Sequence, residues 1–143
     1  MQEILSNTKQ IKPGDIPDFK LKQLQYEIDS WKRLLGFMME ENIHLKIRLS
    51  EMLKIKFDNN LLEEVEIFYN KIIKEDDLFL LLRNEINDLD KLLENLVFKE
   101  KGIIIKANRK FKRFRNNINA SEKQFEKLKM NFNNYLLENT QNS

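Results

Sequence analysis

Between residues 21 and 52 the apolar side chains keep a seven-residue repeat without a slip. The inward positions are Leu21, Leu24, Ile28, Trp31, Leu35, Met38, Asn42, Leu45, Leu49 and Met52. Steps that alternate between three and four put all of these on one stripe of a long helix, because successive positions stay on one side of the helix axis. Asn42 is the single polar member and sits mid-stripe. A stripe of this length cannot be a strand, and it must be covered along its whole length by other helices.

The same repeat recurs twice. A second stripe runs Leu61, Val65, Phe68, Ile72, Glu75, Phe79, Leu82, Ile86, Leu89, Leu93, Leu96. A third runs Ile104, Ala107, Phe111, Phe114, Ile118, Ser121, Phe125, Leu128, Phe132, Tyr135. Between the first two lies Phe57-Asp58-Asn59-Asn60, where Asp and Asn bond their own backbone and favour a turn. Between the second and third lies Lys99-Glu100-Lys101-Gly102, with Gly102 suited to a left-handed helix cap. The expected helices are therefore about 19–56, 61–98 and 103–138, in an all-α fold: a long, coiled-coil-like antiparallel three-helix bundle running up-down-up. Residues 1–17 read as a flexible N-terminal arm ending in the turn-forming Lys12-Pro13-Gly14-Asp15-Ile16-Pro17, with Asp18 as a helix cap, and residues 140–143 read as a frayed tail. Three Gly and two Pro in 143 residues, with 34% charged, suit long helices in a single domain.

Antiparallel neighbours joined by a short loop meet in layers. A turn centred between Asp58 and Asn59 pairs Leu21 with Leu96, Trp31 with Ile86, Leu49 with Phe68, and Asn42 with Glu75. Ser121 falls one layer away. Asn42, Glu75 and Ser121 are thus expected to form a buried polar layer, in which an Asn42–Glu75 hydrogen bond fixes register. A polar pocket for a small ligand is the competing reading of the same layer. Trp31 is expected to anchor the core against Ile86 and Phe114.

The chain has little to support catalysis. It has no Cys, so no thiol nucleophile, and one His, so no conventional His-based zinc cluster can come from one copy alone. Glu41-Asn42-Ile43-His44 spells the Glu-x-x-His of di-iron carboxylate bundles, which need two such motifs plus two more Glu. A dimer with Glu75 as the extra ligand could form such a metal-binding carboxylate bundle. His44 lies off the stripe, however, so this is the remotest reading, and no cofactor is expected. There is no Gly-rich phosphate loop, no signal-peptide core and no apolar run long enough to span a membrane. A cytoplasmic location is the expectation.

Charge is segregated although the net value is only +2. The second helix is acidic, and the third is basic from its start: Lys106, Arg109, Lys110, Lys112, Arg113 and Arg115 surround Phe111 and Phe114. Such a cluster resembles a phosphate-binding surface for nucleic acid or another anionic surface. Both Phe residues lie on the core stripe, where they cannot stack on bases, so pairing of the basic segment with the acidic second helix, or with a protein partner, is the expected use of these charges. Apolar residues outside the stripes, among them Leu34, Met39, Ile43, Ile47, Leu80 and Leu81, exceed what three helices can cover. They point to a protein partner, most simply a second copy.

Leu24, Tyr26-Glu27, Trp31, Leu35, Phe37, Glu41, Arg48-Leu49 and Glu51, then Glu66, Phe68, Asn70 and Ile73, follow one another in an order that resembles an uncharacterised family of small bacterial helical proteins. The resemblance covers roughly half the chain and implies an all-helical fold with no known activity. Family members carry His flanking the Phe/Tyr-Glu pair. Gln25 and Ile28 stand there in this chain, so the residues that would imply a metal role are missing. The expected function is a non-enzymatic interaction or scaffold protein that self-associates, with nucleic-acid binding as the alternative.

Overall fold

A computed structural model describes the backbone of residues 18–55, 59–96 and 101–141. It contains three α-helices: α1 (Asp18–Ile55), α2 (Asn59–Asn95) and α3 (Lys101–Gln141). No strand occurs among the described residues. At 1.5 Å per residue, helices of 38, 37 and 41 residues are each about 55–60 Å long. The three pack together as an all-α three-helix bundle.

The helix ends differ from expectation in small ways. Asp18 is already in the first turn of α1. Asn59 and Asn60 open α2, where they were expected to lie in the turn. Gly102 lies inside the first turn of α3 and does not cap α2. Helix ends fray and shift by a residue or two with local context, so boundaries follow the repeat only loosely. Helix α3 also runs on to Gln141, past the expected fraying point. The N-terminal arm and the Ile104 side chain lie outside the described residues.

Burial follows the seven-residue repeats. All described members of the three stripes are buried except Leu21 and Phe68, which are partly buried against the core. Residues on the far side of each helix face water, while those flanking a stripe, such as Leu34, Met39 and Leu78, are partly buried against it. The α1 and α2 backbones run closest together, while α3 stands further off, most of all from α1. The inward side chains account for this: five aromatic rings of α3, Phe111, Phe114, Phe125, Phe132 and Tyr135, are buried in its interface.

These rings form three clusters down the bundle. Trp31 lies 4.9 Å from Phe114 and 6.0 Å from Phe111, between ring centroids. Phe79 meets Phe125 edge-on at 5.2 Å at mid-height. Phe68 contacts Phe132 at 5.3 Å and Tyr135 at 4.9 Å. Aromatic pairs at these separations add about 0.5–1.5 kcal/mol each beyond the area they bury.

Candidate functional site

Asn42, Glu75 and Ser121 are all buried, at 0%, 3% and 6% exposure. Their partners are not each other. The Asn42 amide donates one hydrogen to the Ile72 carbonyl at 3.0 Å and the other to Asp76 Oδ1 at 2.7 Å. The expected Asn42–Glu75 bond is absent because both donors are used on the α1–α2 seam. Glu75 turns to the α2–α3 seam, where its Oε1 accepts from Gln124 Nε2 at 3.0 Å. Ser121 donates to the Asn117 carbonyl of its own helix at 2.8 Å and joins neither pair. Asn42 Oδ1 and Glu75 Oε2 have no hydrogen-bond partner among the described residues. Burial therefore pushes the Glu75 carboxyl above the ordinary carboxylate range, and the Gln124 hydrogen bond offsets only part of that rise.

Charged pairs flank the core on two seams. On the α1–α2 seam, Lys32 pairs with Asp90 at 2.7 Å and Lys46 pairs with Asp76. On the α1–α3 seam, Arg115 forks onto Glu27 and Lys129 pairs with Glu41 at 2.7 Å. Both α1–α3 pairs span 88 residues, the constant offset of helices running in the same direction. Lys129 also reaches Glu126 at 2.8 Å. Burial pulls its pKa down, but the two carboxylates outweigh that and raise it.

Only Arg115 of the six basic candidates at the start of α3 has an ion pair among the described residues, and its partner is on α1, not on acidic α2. Lys106, Arg109, Lys110, Lys112 and Arg113 are exposed. Lys110 and Arg113 line a shallow cleft of about 180 Å³ together with Glu85 and Asp88 of α2, so part of the segment does face the acidic helix. Phe111 and Phe114 are buried and unavailable to a base.

His44 is exposed on α1. It lines a groove of about 560 Å³ between α1 and α3, with Glu41, Arg48, Lys129 and Asn133 among the other walls. Arg48 Nη1 donates to Asn133 Oδ1 across this groove at 3.0 Å. Lys129 engages Glu41, Gln124 engages Glu75, and those two carboxylates lie on different seams. Among the described residues, no group of three or more His, Asp or Glu is placed to hold a metal ion.

Of the expected partner surface, Leu34 and Met39 are partly buried against the core of their own chain. Their positions flank the stripe and close over it, which removes them from the free surface. Ile43, Ile47, Leu80 and Leu81 are exposed at 53%, 48%, 43% and 55%, and Tyr26 and Phe37 are still more open. The apolar run 78–82 is therefore not covered all round within one chain. No helix among the described residues is long and apolar enough to cross a membrane. Compared with known protein families, characterised sequences and solved structures, the chain matches none of them.

Proposed function

We propose that this chain is a non-enzymatic interaction or scaffold protein of the cytoplasm that associates with itself. The observation that carries this reading is apolar surface left over after the core is complete. Tyr26, Phe37, Ile43 and Ile47 on α1 and Leu80 and Leu81 on α2 are all more than 40% exposed. Single exposed apolar residues are ordinary, but several along one helix face normally mark an interface. A resemblance that implies a helical fold without an assigned activity is consistent with this role. Light scattering at several protein concentrations tests it, followed by affinity purification from the source cell. A particle of monomer mass at every concentration, together with no captured protein, would sink it.

A second reading rests on a different observation. Lys106, Arg109, Lys110, Lys112 and Arg113 are exposed within two turns of one helix. A surface of this kind binds polyanions mainly by releasing counterions, so its affinity falls steeply with salt. A mobility shift with duplex DNA and RNA at low salt tests this reading, and no shift would dismiss it.

A further inference from the structure

Gly36 stands at the middle of α1, which runs from Asp18 to Ile55. A Cβ built there would meet nothing within 4 Å, so the bundle itself does not require a glycine at this position. Glycine in a helix interior costs about 1 kcal/mol relative to Ala. Its use is to let another group come close to the backbone. Phe37, the next residue, is 60% exposed, although it is among the largest apolar side chains in the chain. The outward line of α1 continues through Tyr26 at 68% exposure, Arg33, Glu40 and Ile47 at 48%, all turned away from α2 and α3. Lys22, Arg33, Glu40 and Glu51 are exposed and have no ion-pair partner among the described residues.

We infer that the outer face of α1 binds the same face of a second copy, antiparallel, about a two-fold axis passing between Gly36 and Phe37. This names the partner surface of the self-associating protein proposed above and rests on that reading. Such an axis pairs each residue with the one equally far beyond the helix midpoint. Arg33 then meets Glu40 of the second copy, and Tyr26 meets Ile47. On the two flanks of that line, Phe37 meets Phe37 and Gly36 meets Gly36 at the axis. The charged pair is of opposite sign, and the two-fold makes it twice. The register is specific. Sliding one copy by a heptad in one direction sets Arg33 against Arg33, and in the other direction it sets Glu40 against Glu40. Like charges directly opposed are destabilising, so the alternatives are disfavoured by the same residues that favour this alignment. Because the axis falls at the midpoint, the two helices overlap along their whole length and bury Tyr26, Phe37 and Ile47 of both copies.

The chain has no Cys, so single cysteines can be introduced and spin-labelled without background. In the antiparallel pair, labels at Ser30→Cys lie about 20 Å apart along the axis and labels at Gln23→Cys about 40 Å apart, at 1.5 Å per residue. A parallel pair gives the same short distance at both sites. Sedimentation equilibrium supplies the second arm. Arg33→Glu and Glu40→Arg each weaken association at least tenfold, and the double swap restores it. Both positions are exposed, so the variants fold, and circular dichroism checks this. A dimer without the lengthening distances, or one indifferent to the charge swap, overturns this pairing and leaves self-association standing. A monomer at every concentration overturns both.

Discussion

Arg115 and Glu27 meet as a fork: Nε donates to Oε2 at 2.8 Å and Nη2 donates to Oε1 at 2.7 Å. This contact joins the basic start of α3 to α1 beside the Trp31 cluster, with the guanidinium 6.0 Å from the indole. A guanidinium is suited to this because its donors match both carboxylate oxygens at once, which an ammonium cannot do. The pair is partly exposed, at 40% and 23% for the two side chains, so solvent screens much of its Coulomb energy.

Arg115→Lys is therefore expected to cost only about 0.5–1 kcal/mol. Lys129→Ala should cost more, about 1–3 kcal/mol, because Lys129 and Glu41 are only 18% and 25% exposed and Glu41 Oε1 already has no partner. Urea denaturation of the two variants side by side checks the order, and a larger loss for Arg115→Lys would contradict it.

Asn42→Leu should raise stability by about 1–2 kcal/mol. The Ile72 carbonyl sits within α2, Asp76 keeps Lys46, and an unpartnered amide oxygen is removed from the core. The same change should broaden amide resonances around mid-height, because a buried polar side chain specifies alignment that leucine does not. A destabilised variant would mean that the Asn42 amide contributes more than its burial costs.

Glu75→Gln tests the buried carboxyl. The folded state holds the Glu75 proton more tightly than the unfolded state does. Its contribution is therefore most favourable below the ordinary carboxylate value of 4.5 and is lost as pH rises through the higher folded value. Lys71, Lys74 and Lys127 line the same cleft as Glu75, while Asn42 on α1 is neutral. The variant should be more stable than the parent at pH 7, with the difference vanishing below about pH 4.5, the ordinary carboxyl range. Thermal melts across that range decide it, and equal melting temperatures at pH 7 would show the carboxyl to be freely solvated.

Trp31→Ala should cost about 3–5 kcal/mol, as a large buried ring leaves a cavity between α1 and α3. Trp31 is the chain's single tryptophan and is 7% exposed, so its emission reports α3 docking directly. Phe114→Ala should shift that emission to the red, since the two ring centroids are 4.9 Å apart. An unchanged spectrum would place the ring elsewhere.

How far the fold could be read from residues alone is shown by Asn42 and Glu75. Their burial was legible, since each falls on a stripe, and a position on a stripe is buried whatever its chemistry. Their partners were not. Asn42 bonds Asp76 and Glu75 bonds Gln124, and both partners lie one step off the stripes. The basic start of α3 was likewise expected to pair with acidic α2, but Arg115 crosses to α1. The positions flanking each stripe carried the missing signal: Lys32, Lys46, Asp76 and Asp90 occupy one flank on α1 and α2, where antiparallel neighbours meet. Leu34 and Met39 were expected to be free and are partly buried for the same reason.

The three seven-residue repeats are enough to specify three long helices and which face of each is inside. That follows because burial depends on a period repeated along a single helix, which is local information. Which charged groups meet, which seam opens into a groove beside His44, and which apolar residues stay outside emerge only when the helices pack. Those outcomes depend on the distances between helices. Five aromatic rings hold α3 away from the α1–α2 pair, and no single helix contains the spacing they impose.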